Sequence, residues 1–356
     1  MLKSDKKPKV TIYHLAQELG LAPSSVSKAL NDLPSISQRI KDMVSSKARE
    51  LNYVHNSSAA NLRRGSSRTI GVVVPKLDTT FFSDVVSGIE EVCSKHKYNV
   101  IICQSEERLQ REIEAVENLI SQNVDCIIIS LSVQTSTVEH LQRIRDLGVN
   151  LIQFDRVNED VKSHYNLTDN KDAAYNAVRH LISNGYSNIA LLGGPNHLAN
   201  YRDRKTGYLQ AMEEAELSVP YNYVTEEVLS LERSMDVASN LLNSKNPPDA
   251  FFAVSDYAAL GAMKAAESLG LKVPDQLGIV GFSNEEFTSL ITPSITSIDQ
   301  NSKQLGAEAA RTYFDEIVGK PVTDNYSTSF TRSSLIVRSS STRTVHAPHD
   351  VMTTVI

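Results

Sequence analysis

Residues 10–32, VTIYHLAQELGLAPSSVSKALND, carry two short apolar stripes with almost nothing between them. Ile12, Leu15, Ala16 and Leu19 fall at i, i+3, i+4 and i+7, one face of a helix. Thr11 precedes that stripe as an N-cap, and Gly20 follows it as a stop. Leu21 and Ala22 make a very short connection. Pro23 then stands where proline is best tolerated, at the first helical position. From there to about Asn31 a second helix turns Val26, Ala29 and Leu30 inward and leaves Ser24, Ser25, Ser27 and Lys28 on or near its outer face. A third helix is expected from a Ser37 cap, burying Ile40, Met43, Val44, Ala48 and Leu51. This is the helix-turn-helix pattern, whose second helix can enter a DNA major groove. Serines allow close approach, and a lysine reaches guanine acceptors or a phosphate. A three-helix bundle with another role fits the same spacing.

Charge separates this module from the rest of the chain. Residues 1–68 hold 12 Lys and Arg against 5 Asp and Glu, whereas the whole chain of 356 residues has a net charge of −6. The remainder is therefore strongly acidic, as in a nucleic-acid binder with a separate second domain. A composition of 41% hydrophobic and 22% charged residues excludes wholesale disorder. No run approaches the ~20 apolar residues that span a bilayer. No apolar segment follows MLKSDKKPKV, so neither a membrane partner nor a secretory signal is expected. The expected location is the cytoplasm. Cys93, Cys103 and Cys126 lack C-x-x-C spacing, which suggests neither a disulfide framework nor a zinc site.

From Thr69 onward apolar runs alternate with helical stripes. The runs are Ile70–Val74, Val100–Cys103, Cys126–Ile129, Leu151–Phe154, Ile189–Leu192, Phe251–Val254 and Leu277–Val280. Stripes such as Val85, Ile89 and Val92, or Ile113, Val116 and Ile120, lie between them. The alternation predicts parallel sheets covered by helices, in two doubly wound halves. Ligands in such folds sit beyond the carboxyl ends of the strands. That rule nominates Phe81, Phe82, Asp155, Arg156, Asp256, Phe282 and Ser283, with Arg204 in a later loop-to-helix start. Core packing competes for one of the two phenylalanines, and helix capping for the two aspartates. Arg204 has no obvious partner in the sequence. G-x-G-x-x-G, P-loop, G-x-S-x-G and H-E-x-x-H patterns are absent, so no catalytic residue, cofactor or metal is expected.

These stretches, with LNYVHNSSAANLRRGSSRTIGVVVP (51–75), TTFFSDVVSGIEE (79–91), LTDN (167–170), IALLGGP (189–195), AVSDYAALGAMKAAESLGLKVPDQLGIVGF (253–282) and ITPSITSIDQ (291–300), resemble the LacI/GalR family of bacterial transcription regulators. The resemblance runs to about residue 338. It implies a small all-α helix-turn-helix headpiece (1–55), a hinge helix and linker (56–68), and an effector-binding and dimerisation domain (69–340). That domain would have the periplasmic-binding-protein-like α/β fold, with an N-half near 69–167 and 298–325, a C-half near 168–297 and 326–340, and a polar tail at 341–356. By the resemblance Pro23, Ser24 and Lys28 face bases. Thr11, Ser25, Ser27, Asn31, Ser57 and Arg63 also belong to the DNA-binding set, and Leu62 is a minor-groove wedge. Phe81, Phe82, Asp155, Arg156, Asn200, Arg204, Asp256 and Ser283 fall in the effector pocket. Ala22 replaces a usual capping Ser or Thr, His14 an acidic residue, and Ser283 the Asp common after GF. The expected function is repression by a homodimer on a double-stranded operator, controlled by a small polar effector, a sugar or sugar phosphate. The tail has no leucine heptad, which favours a dimer. Two other readings are a catabolite-control regulator with a phosphoprotein corepressor and a small-molecule-binding protein without a regulatory role.

Overall fold

The computed structural model describes residues 10–53, 66–226, 228–320 and 325–343. The chain divides after Ser67 into two compact units. The hinge positions Ser57, Leu62 and Arg63 lie outside the described residues.

The first unit holds α1 (Ile12–Leu19), α2 (Pro23–Leu30) and α3 (Gln38–Glu50). Thr11 Oγ1 accepts the His14 N–H at 3.3 Å, and Gly20 ends α1 in the left-handed region at φ 61°. Leu15, Ala16, Val26, Ala29, Val44 and Ala48 form the core. Two expectations fail here. Met43 is 41% exposed, because Val44, about 100° further round the helix, takes the inward position. Ser37 makes no side-chain cap bond.

The second unit contains two six-stranded sheets. The first has the order β11-β5-β4-β3-β1-β2, with β1 Thr69–Val74, β2 Asn99–Gln104, β3 Cys126–Ile129, β4 Asn150–Phe154, β5 His164–Thr168 and β11 Thr328–Thr331. The second has the order β12-β10-β9-β8-β6-β7, with β6 Ile189–Leu192, β7 Val224–Thr225, β8 Ala250–Ala253, β9 Gly278–Phe282, β10 Thr296–Asp299 and β12 Ser334–Ile336. Among the described strands only β10 and β12 pair antiparallel. Helices α4 (Thr80–Lys95), α5 (Leu109–Ser121) and α6 (Glu139–Asp146) pack on the first sheet. The second is covered by α7 (Asn170–Ser183), α8 (Ala199–Glu214), α9 (Leu231–Leu242) and α10 (Asp256–Ser268). After the short α11 (Phe287–Leu290), α12 (Ser302–Arg311) returns to the first. Helices on both faces bury strands such as Cys126–Ile129 completely, so they read as unbroken apolar runs.

The chain passes between the sheets three times, after β5, after β10 and after β11. The expected halves placed the second and third passages near 298 and 326. The polar strands TSID and TSFT broke the apolar pattern and hid β10 and β11; the passages lie near 300 and 332 instead. The three passages are bonded together: the Ser333 N–H donates to Asp169 Oδ1 at 2.9 Å, and Asn301 Nδ2 to Arg332 O at 2.5 Å. The expected tail also starts too early. Ser341 is buried against His180 Nε2 at 2.8 Å, and the Arg343 guanidinium lies 3.8 Å from the Tyr186 ring centroid.

Helices α4 and α12 meet through glycines. A Cβ on Gly88 would lie 2.0 Å from Lys303 O, and one on Gly306 2.0 Å from Val85 O. Alanine gains about 1 kcal/mol of helix propensity over glycine, but forcing bulk into a packed interface costs about 1–3 kcal/mol or more. A helix carbonyl cannot step aside, so the clash wins. Gly88→Ala is expected to lower the urea midpoint of the intact chain; an unchanged or raised midpoint contradicts this packing.

Candidate functional site

The ends of β4 and β9 shape the space between the two sheets. Asp155 follows β4 in the left-handed region at φ 55°, a conformation that Asp tolerates. Ser283 follows β9 at φ 111° and Asn284 at φ 52°. Such backbone costs about 1–3 kcal/mol and persists where its surroundings hold it. Here the Ser283 N–H donates to Ile298 O at 2.8 Å, and the Asn284 N–H to Ser297 Oγ at 3.0 Å.

These residues border a cavity of about 590 Å³. Of the nine nominated side chains eight line it: Phe81, Phe82, Asp155, Arg156, Asn200, Arg204, Asp256 and Ser283. The ninth, Phe282, is buried in the core of the second sheet instead. Glu107, Tyr201, Glu285 and Gln300 line it too. The post-strand rule could have found Glu107, just after β2, and Gln300, just after β10, had TSID been recognised as a strand. Tyr201 was legible as the residue one turn before Arg204 on α8. Phe81 and Phe82 pack edge to face, with centroids 4.9 Å apart, and both belong to the core as well as the cavity wall.

Arg204 does have partners, contrary to expectation, and they come from distant segments. Nε donates to Asn170 Oδ1 at 2.8 Å, Nη1 to Val254 O at 2.7 Å and Nη2 to Gln300 Oε1 at 3.0 Å. Its guanidinium lies 3.6 Å from the Phe282 ring centroid, and the residue is 3% exposed. Burial lowers its pKa, yet arginine stays a cation in proteins. Of five N–H groups, two remain uncommitted by these bonds.

Among the described residues four hydrogen bonds cross from one sheet's residues to the other's around the cavity. Arg156 Nη2 donates to the Tyr201 hydroxyl at 3.2 Å, and Asn200 Nδ2 to Asp155 Oδ1 at 3.3 Å. The Thr80 N–H donates to Glu285 Oε2 at 2.9 Å, and His197 Nε2 to Val133 O at 2.9 Å. Arg156 also gives Nη1 to both Glu107 oxygens, at 2.9 and 2.8 Å, while its buried Nε has no hydrogen-bond partner among the described residues. Asp256 is the first residue of α10 rather than its cap; Ser255 Oγ accepts the Ala258 N–H. Asp256 accepts the Ser297 hydroxyl at 2.6 Å and the Glu285 N–H at 2.7 Å. Burial pushes its pKa up to about 7, against those two bonds and Arg338, with the Glu285 charge adding to the rise.

In the helical unit Thr11, Pro23, Ser24 and Lys28 are exposed, and Ser25, Ser27 and Asn31 half-buried. Asn31 Nδ2 donates to Ser27 O at 2.7 Å, so part of its amide closes α2. No ion pair or hydrogen bond holds the Lys28 ammonium among the described residues. Tyr13, 70% exposed on α1, is an aromatic that the apolar stripe does not use.

A family model described as periplasmic binding proteins and sugar binding domain of LacI family matches residues 67–344. The chain is 30% identical to the HTH-type transcriptional repressor CytR of Escherichia coli K12 over 312 residues, 88% of this chain and 91% of that one. The chain belongs to the LacI/GalR family of transcriptional regulators. Catabolite control protein A of Priestia megaterium is 29% identical over 303 residues, 85% of this chain and 91% of its own length. The crystal structure of the lac repressor dimer bound to operator and an anti-inducer shares the fold, with a TM-score of 0.82 at 24% identity over 94% of this chain and 99% of that one. The LacI/GalR regulator described here thus joins a small helical headpiece to a periplasmic-binding-protein-like α/β domain. Among its described residues no helix is long and apolar enough to cross a membrane.

Asp256 gives a signed pH dependence. An unfolded Asp titrates near about 3.9, and the buried one at about 7. The folded state therefore binds more protons through that window, and its stability falls as pH rises from about 4 to 7. Asp256→Asn is expected to flatten this part of the urea-midpoint-versus-pH curve. A variant curve parallel to that of the parent contradicts the assignment.

Proposed function

We propose that this LacI/GalR regulator represses transcription as a homodimer on a two-fold operator, and that a small polar ligand between its lobes sets operator affinity. One observation carries the reading: the cavity draws its walls from both lobes, and four lobe-to-lobe hydrogen bonds surround it. Occupancy and lobe angle are then linked, since a ligand shifts an equilibrium only by binding one arrangement better. A volume of about 590 Å³ falls in the range of small-molecule sites. The chain acts by binding, not catalysis, in the bacterial cytoplasm at the nucleoid. The exposed Lys28 face of α2 reads the operator, and each half-site takes one headpiece.

Three measurements test this. Lys28→Ala is expected to relax preference at one base per half-site, at about 1–3 kcal/mol. A loss uniform across operator variants makes Lys28 a phosphate contact instead. Sedimentation with a defined site is expected to give two chains per duplex; one chain at equal affinity contradicts the dimer. Val133→Trp and Leu229→Trp, which fill the cavity from opposite lobes, are expected to abolish the response to any effector found in a thermal-shift metabolite screen. Their ligand-free operator binding should be retained. A full response in both folded variants puts the effector elsewhere.

A further inference from the structure

Two features of the cleft that would attract an anion are already filled by the protein's own carboxylates. Helix α4 begins at the cavity, and a helix N-terminus offers unpaired N–H groups and about half a positive charge. Glu285, from the opposite lobe and 5% exposed, accepts the first of those N–H groups, from Thr80, at 2.9 Å. The second feature is Arg156, whose Nη1 meets both Glu107 oxygens. Other helix starts on the wall carry acceptors of their own. Ser230 Oγ accepts the Arg233 N–H at 3.1 Å with Glu232 in the same turn, and α10 opens with Ser255 and Asp256. On α8, Asn200 Oδ1 accepts the Tyr201 N–H at 2.9 Å. Among the described residues six acidic side chains line the cavity against three basic ones, and the one lysine of these, Lys76, is exposed.

Neutral hydrogen bonding, by contrast, is still on offer. The buried Arg156 Nε lacks a partner among the described residues, and two Arg204 N–H groups are uncommitted by the bonds to Asn170, Val254 and Gln300. Among the described residues Asp155 accepts only the long Asn200 bond on one oxygen, at 3.3 Å, and its other oxygen lies 3.9 Å from Arg156 Nε. Phe82 and Tyr201 add aromatic surface.

We infer that the cleft takes an uncharged, polyhydroxylated ring and rejects the phosphorylated form, with Glu107 and Glu285 as the residues that set this selectivity. The inference rests on the proposal that the cleft is the effector site. A phosphate entering here must displace a carboxylate from Arg156 or from the α4 N-terminus, and it then faces an acidic surplus. A hydroxyl can use the spare donors and Asp155 without breaking either pair.

The test uses the full chain with inorganic phosphate and glucose 6-phosphate as probes, each against chloride at equal ionic strength, read by thermal midpoint and titration calorimetry. Wild type is expected to gain nothing beyond chloride from either anion. Glu107→Gln and Glu285→Gln keep the side-chain shape and an acceptor oxygen, and each is expected to bind the two anions at least tenfold more tightly than wild type. If one variant fails to fold by circular dichroism, the other carries the test. Anion stabilisation of wild type that disappears in Val133→Trp overturns the inference. So do folded Gln variants that gain no anion binding, or a phosphorylated metabolite that emerges as the effector. The cleft reading fails separately, when a neutral effector still acts on both cavity-filling Trp variants; the anion titrations still report the charge balance of the cleft in that case.

Discussion

The guanidinium of Arg204 joins Asn170, just after the first passage between the lobes, to Gln300, at the second. Burying a charge is costly unless it is hydrogen-bonded, and here the three acceptors come from both passages and from Val254 just after β8. Gln300 in turn donates to Ser283 Oγ at 3.1 Å, and Asn301 bonds the third passage at Arg332. Losing the guanidinium would leave buried acceptors unsatisfied, at about 1–3 kcal/mol each. One side chain therefore serves as cavity wall and as fastening for the segments about which the lobes can turn.

Around the cavity the bonds are of another kind. They join single side chains across a gap: the neutral one contributes about 0.5–1.5 kcal/mol net, and the three to charged groups about 1.5–3 each. Fixed passages with an opening bridged by so few contacts make a hinge. A ligand that touches both walls then has a differential affinity for the closed arrangement, which is what control of a distant site requires. The internal pairing of Glu107 with Arg156, and of Glu285 with the α4 N-terminus, leaves that role to hydrogen bonding and ring packing rather than to net charge.

Much of this was legible in the sequence. Helical spacing and the Gly20 stop gave the three-helix unit, and strands buried on both faces announced themselves as apolar runs. The rule that sites follow strands gathered Asp155, Arg156, Asp256 and Ser283 into one cavity. What escaped had physical causes. TSID and TSFT are strands held by pairing and side-chain hydroxyls, so hydropathy is silent about them and the lobe passages were misplaced. The partners of Arg204 belong to three segments far apart in the chain, and no local pattern brings them together. Met43 shows the limit of reading a helix face residue by residue, since a neighbour about 100° away can take the buried position.

Locking the lobes tests the proposed coupling most directly, and it requires no knowledge of the ligand. Val133→Cys with His197→Cys places one thiol on each lobe where His197 now meets Val133 O, and a short bis-maleimide bridges them. The native thiols are buried or half-buried. The measurement is operator affinity of the bridged protein against the same protein modified singly at each site. Allosteric coupling is typically about 5–150-fold, so a change of at least about fivefold is expected. Equal affinities for the bridged and unbridged proteins would contradict control of the operator through the lobe angle.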